Sequence, residues 1–259
     1  MTDIKKSVKT LFDNFIKSRL GRSIFASLRL NKPVSIEQDK DKDYIYRWGN
    51  EAAVTSIPDW NPINSSNSLD LFFYSYHIKK GDTVVIVGVA DGAEIPSISR
   101  MVGNANSGKV IAIEPTPSCV RRLKKLKEIL SLENLVIVEA AIGSMDEEVY
   151  LNLEDNDIRN QITLQKNDQN SIKVNSYKLT SIMEKLSIDN IDYCKINIEG
   201  AEKNALIGID LGKINIKNFC ISTHDFIGPS FRTFDFVRDW LTTNNYNVSI
   251  YPEKLEKYW

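Results

Sequence analysis

A repeating order of short apolar runs and amphipathic helices, beginning near Gly81, constrains this chain most. Thr83-Val84-Val85-Ile86-Val87 is a continuous β-branched run, the composition of a parallel strand covered on both faces. The pattern predicts a helix near Glu94 to Met101, a strand Val110-Ile111-Ala112-Ile113, and a helix opened by Thr116-Pro117. A capping residue followed by proline suits the first turn of a helix. That helix would place Val120, Leu123, Leu126 and Leu130 inside, with Arg121, Arg122, Lys124, Lys125 and Lys127 outside. Leu135 to Val138 reads as the third strand. Strand, helix, strand, helix, strand at this spacing predicts a right-handed, mostly parallel α/β sheet, doubly wound.

The rhythm breaks at Glu147 to Val174. There, two period-two runs flank a polar tract, as in an antiparallel insertion of short strands. It resumes with helix Leu179 to Leu186, strand Tyr193 to Ile198, helix Ala201 to Ile207 and strand Phe219 to Ser222. Helix Phe231 to Leu241 and strand Val248 to Tyr251 would close the domain.

Ahead of this domain, Ile4, Val8, Leu11 and Phe15 keep helical spacing among many lysines and arginines. Residues 33–64 look irregular, a connecting or lid-like segment, before a helix from Ser66 to Ile78. We therefore expect an extension over residues 1–64 and one α/β domain over residues 65–259. A basic amphipathic helix either lies on a membrane surface or docks on the domain with its charges in water. The formal net charge of −1 favours no nucleic-acid partner. Cys119, Cys194 and Cys220 have no metal-ligand spacing and read as reduced thiols. No apolar leader and no bilayer-length apolar run is evident, so a cytoplasmic protein is expected.

Ligands of open α/β sheets bind beyond the carboxyl ends of the strands. The first strand runs into Gly88-Val89-Ala90-Asp91-Gly92, whose glycines allow a sharp turn and a close approach to backbone. The second ends at Glu114, where a carboxylate can accept bonds from both hydroxyls of a ribose or sit at a helix head. Together they point to a nucleoside cofactor without naming it. The G-x-G-x-x-G dinucleotide fingerprint is absent.

Lys195-Ile196-Asn197-Ile198-Glu199-Gly200-Ala201-Glu202 resembles the Lys-x-Asp-x-Glu-Gly-Ala-Glu signature of the FkbM family of S-adenosylmethionine-dependent methyltransferases. Gly81 to Val85, Ile113-Glu114-Pro115, Glu139 to Gly143 and Tyr177-Lys178-Leu179 are similar to further segments of that family. The resemblance spans roughly residues 66–225. It implies a Rossmann-like class I methyltransferase fold and S-adenosylmethionine held by Gly88, Asp91, Gly92, Glu114, Ala141 and Asn197. It also implies O-methylation of a sugar or other hydroxyl on a glycan, a glycolipid or a small secondary metabolite, and the basic N-terminal helix would suit a lipid-linked acceptor. The chain departs from the family at Ile86, where an acid is common, at Ala90, where asparagine is common, and at Asn197, which replaces an aspartate.

A hydroxyl is a poor nucleophile until it loses its proton, so a base or a metal is useful. Glu199, Asn197 and His224 are the catalytic candidates. His224 would be a general base oriented by a carboxylate, or a divalent-metal ligand with Glu199 and Asn197. Otherwise it is a hydrogen-bonded structural histidine. Glu202 reads as a helix N-terminal carboxylate and His77 as structural. Two other functions fit the turn and the acid: a nicotinamide-dependent oxidoreductase, and a non-catalytic methyltransferase-like binding module.

Overall fold

The computed structural model describes residues 14, 15, 17–58, 64–153, 161–163, 171–225 and 232–250. In chain order, α1 (Arg19–Leu30) leads into strands β1 (Ser35–Gln38), β2 (Tyr44–Trp48) and β3 (Glu51–Thr55). Helix α2 (Asn64–Phe72) precedes β4 (Thr83–Val87), α3 (Ile95–Val102), β5 (Lys109–Ile113), α4 (Pro117–Leu130) and β6 (Leu135–Val138). The insertion is β7 (Ala141–Ile142), β8 (Glu147–Asn152), β9 (Gln161–Thr163) and β10 (Ser171–Tyr177). Then follow α5 (Leu179–Lys185), β11 (Asn190–Ile191), β12 (Tyr193–Ile196), α6 (Glu202–Ile207), β13 (Asn215–Ile216), β14 (Phe219–Ile221) and α7 (Phe234–Thr243).

The central sheet has the order β14-β12-β4-β5-β6, with every neighbouring pair parallel. Strand order reverses beside β4, so its carboxyl end, with those of β5 and β12, opens the crevice where such sheets hold ligands. Side chains alternate between two cores, as the pleat requires. Val85, Val87, Ile111 and Ile113 pack with α5, α6 and α7 through Leu179, Met183, Leu206 and Val237. Val84, Ile86, Val110 and Ala112 pack with α3 and α4 through Ile95, Ile98, Val102 and Leu123. Both faces of the sheet are thus covered, and its strands are mostly apolar, with Lys195 of β12 a buried exception. This is the Rossmann-like α/β fold expected from the sequence.

The insertion is a small four-stranded sheet, β7-β10-β8-β9, in which β8 pairs antiparallel with β10. The polar tract inside it lies largely outside the described residues.

Three expectations need correction. The described part of residues 33–64 is not irregular, because β1, β2 and β3 form an antiparallel sheet there. Gly49-Asn50 is a two-residue hairpin connection between Trp48 and Glu51. The sheet is a middle layer: Ile36, Tyr46 and Ala53 pack on Ala26 of α1, and Ile45, Ala52 and Val54 on Leu126 of α4. Burial on both faces removes the polar-apolar alternation by which a lone sheet is recognised. Secondly, α2 ends at Phe72, leaving His77 and Ile78 in a connecting segment. Thirdly, Val248 to Ile250 form no strand, since Val248 and Ile250 are exposed and have no core to face. Ile4, Val8, Leu11, Phe231 and Tyr251 lie outside the described residues.

Candidate functional site

Gly88 ends β4 at φ +78°, where a Cβ would overlap the Asn197 carbonyl oxygen. The space beside this glycine is therefore taken by protein backbone, not left for a ligand. The crossing is stitched by Gly88 N–H to the Ile113 carbonyl and Asn197 N–H to the Val87 carbonyl, each at 3.0 Å. Lys195 pins the turn from below, its Nζ lying 3.2 Å from the Gly88 carbonyl oxygen.

Lys195 is itself buried and carries a charge, so it requires a partner. Glu94 supplies one at 2.9 Å, with the two side chains only 4% and 5% exposed. The Phe72 ring covers the ammonium at 4.4 Å from its centroid. Ile86 is Lys195's register neighbour on β4, so the counter-charge comes from Glu94 and not from position 86. This accounts for how an apolar residue is accommodated there.

Glu114 is buried, and its two oxygens already work inside the protein. Oε2 accepts from the Val89 and Ala90 N–H groups at 3.0 Å, and Oε1 from the Thr116 N–H at 2.9 Å. A carboxylate has about four acceptor positions, so this arrangement leaves one for a ligand hydroxyl. The grip on two hydroxyls expected from the sequence is thus corrected to at most one, because turn and helix head share the acid. Ala90 adopts φ +49°, a conformation that costs an alanine more than an asparagine or glycine.

Above this turn lies a small cleft of about 70 Å³ that opens to solvent at its mouth. Gly88, Ala90, Glu114, Thr116, Ala141, Asn197 and Glu199 line it, and Leu151 of β8 closes one wall. Of the residues proposed from sequence, Gly88, Glu114, Ala141, Asn197 and Glu199 come together here.

Asp91 and Gly92 do not line the cleft, which corrects their expected role. The Asp91 carboxylate accepts from the Thr55 hydroxyl and the Arg122 Nε, each at 2.8 Å. It ties the turn to β3 and to α4. A Cβ on Gly92 would overlap Leu123, so this glycine lets α4 pack closely.

His224 lies behind Glu199 and not in the cleft wall. Its Nδ1 is 2.6 Å from Glu202 Oε1 and its Nε2 is 3.4 Å from Glu199 Oε1. Burial works against its charge, but the flanking Glu199 and Glu202 carboxylates prevail and raise its pKa to about 9. The two carboxylates thus favour the imidazolium, with its ring nitrogens turned to Glu199 and Glu202 and away from an acceptor's proton. Glu202, read from sequence as a helix-end carboxylate, does open α6, yet it is fully buried and also accepts from the Thr233 hydroxyl at 3.1 Å. Glu94 and Thr233 are the contributors that the sequence reading missed, together with the pairing of Glu202 with His224. For Glu94 the available signal was a buried lysine one strand away from an apolar Ile86.

Glu199 holds φ +51°, unusual for a non-glycine residue, and its side chain stays 23% exposed toward the cleft. Strained backbone at a ligand cleft is a recurrent property of functional residues.

A doubly wound parallel sheet with this strand order, and a cleft at its switch point, defines the Rossmann-like α/β class. The methyltransferase FkbM domain matches residues 87–248, and the chain belongs to the FkbM family of methyltransferases. Among solved structures, the FkbM methyltransferase of Methylobacillus flagellatus KT is similar at 16% identity and a TM-score of 0.47, over 71% of this chain and 45% of that one. The chain thus spans less than half of that protein. A SAM-dependent methyltransferase from Aquifex aeolicus is similar at 18% identity and a TM-score of 0.39, over 74% of this chain and 91% of that one. Aeropyrum pernix fibrillarin, solved with natively bound S-adenosyl-L-methionine, gives 14% identity and a TM-score of 0.31 over 64% and 61%. A search of curated proteins finds no match. Among the described residues, no helix is long and apolar enough to cross a membrane.

Proposed function

We propose that this chain is an S-adenosylmethionine-dependent O-methyltransferase whose acceptor is a sugar or related hydroxyl. The observation that carries the reading is the cleft in which the Gly88 turn, Glu114 and the Asn197–Glu199 segment face one space at three adjacent strand ends. The adenosine would lie over the turn, with one ribose hydroxyl on Glu114 and the reacting end beside Asn197.

The bound donor supplies an electrophilic methyl, whose carbon–sulfur bond breaks toward sulfur as the acceptor oxygen bonds to carbon. The chain's own part is to orient the acceptor, exclude water and take its proton. Glu199 is the group at the cleft wall suited to accept that proton. His224 is the positioning residue: as an imidazolium it orients the Glu199 carboxylate and is not the base. Asn197 offers a neutral acceptor oxygen where a charge would be expected. The acceptor class rests on the family resemblance, and lipid-linked or free glycans and small metabolites all belong to it.

The test is methyl transfer from radiolabelled S-adenosylmethionine to a panel of hydroxylated glycan acceptors, compared with Glu199→Gln. The variant should lose about 10² to 10³ in rate, with the affinity for S-adenosylhomocysteine unchanged. A full rate in Glu199→Gln would remove Glu199 as base. Thermal stabilisation by NAD and not by S-adenosylhomocysteine would remove the donor.

A further inference from the structure

Helix α1 is built inside out. Against β1 it presents a small and polar face: Gly21 and Ala26 are buried, the Ser23 hydroxyl donates to the Val34 carbonyl, and the Ser27 hydroxyl accepts from the Val34 N–H at 2.8 Å. Apart from Leu30, which packs on the β1–β3 core at the helix end, its large apolar residues face away from the fold. Leu20, Ile24 and Leu28 are 63%, 42% and 72% exposed, and the i, i+4, i+8 spacing lines them into one ridge. Phe25 is exposed beside it. A surface helix of a globular domain ordinarily buries its leucines and turns polar residues to water. A contiguous exposed ridge of this kind marks an interaction surface.

The charge around the ridge selects the partner. From Asn14 to Lys32 the chain carries Lys17, Arg19, Arg22, Arg29 and Lys32 and no carboxylate. Lys17, Arg29 and Lys32 are exposed, whereas Arg19 is tied to the Ile36 carbonyl and Arg22 lies over the Tyr44 ring. A second copy docked ridge to ridge would oppose these cations with the same cations. An anionic surface neutralises them while taking up the leucines.

We propose that α1 is an interfacial anchor that seats this chain on bilayers rich in anionic headgroups. Leu20, Ile24 and Leu28 enter the acyl boundary, and Lys17, Arg29 and Lys32 meet the headgroups. The anchor module is tied to the turn beneath the donor cleft, since Thr55 at the end of β3 bonds to Asp91 in that turn. The surface would therefore hold the cleft at a fixed attitude to the membrane.

The experiment is flotation of the full chain with phosphatidylcholine vesicles, with and without phosphatidylglycerol. Binding should require the anionic lipid and weaken steeply with added salt. The double substitution Leu20→Ser and Leu28→Ser should reduce binding about 100-fold, roughly tenfold per leucine. Because both side chains are solvent-exposed, its thermal midpoint should stay unchanged. Replacing Arg29 and Lys32 by glutamine should cost about fivefold each. Equal binding to neutral vesicles, no binding to either, or an oligomer by light scattering that the leucine substitutions dissolve would overturn the proposal. Binding is read here without methyl donor, so a failed anchor leaves the donor cleft untouched, and a failed donor leaves the anchor.

Discussion

The two walls of the cleft are built on opposite principles. The turn after β4 is closed on itself: Gly88 abuts the Asn197 backbone, and Glu114 and Lys195 bond to its amides and carbonyl. The wall at Glu199 is ionic and partly open, a carboxylate left at the cleft with an imidazolium behind it. On the first wall, polar side chains shape the backbone, and a ligand would meet the result. On the second, a side chain is itself the reagent. Damage to the turn should therefore appear first as lost stability and binding, and damage to the carboxylate wall first as lost turnover and altered pH dependence.

Gly88→Ala should break this contrast most severely. The added carbon meets backbone that cannot move aside, and the φ is unfavourable to alanine. We expect a loss on the order of 4 kcal/mol or more in urea unfolding. Lys195→Met comes next, because it strands Glu94 in the core. Removing one member of a buried pair costs roughly 3–5 kcal/mol, and the double variant with Glu94→Leu should recover much of that in a mutant cycle.

His224 gives a smaller effect with a distinct signature. Its folded pKa is raised, so the stabilisation from the imidazolium is fully present below the ordinary histidine value near pH 6.5 and is lost as pH rises through about 9. Urea titrations should show stability falling across that window by on the order of 3 kcal/mol. In His224→Gln the same window should be flat, and turnover should lose its alkaline limb. Least of all, Ala90→Gly should relieve the left-handed strain and raise stability by about 1 kcal/mol, visible as a higher thermal midpoint.

The parallel sheet was legible because its strands are buried on both faces. Thr83 to Val87 and Val110 to Ile113 show this as unbroken β-branched or small apolar runs, and they became β4 and β5 with few shifts at their ends. The same two-sided burial concealed β2 and β3, where Ala52 and Ala53 have weak strand preference and only Gly49-Asn50 marks the hairpin. Within the site, Gly88, Glu114 and Asn197 could be placed from their positions at strand ends. Asp91 could not, since its partners Thr55 and Arg122 lie 36 and 31 residues away in sequence. Nor could the state of His224: no local pattern announces that Glu199 and Glu202 would enclose one ring.

The central claim is most directly tested by a crystal structure of the chain soaked with S-adenosylhomocysteine. The account predicts density for the nucleoside between the Val87–Ala90 turn and Glu114, one ribose hydroxyl on that carboxylate, and the sulfur directed at Asn197 and Glu199. A nucleoside seated elsewhere, or a cleft that stays closed at saturating ligand, would contradict it.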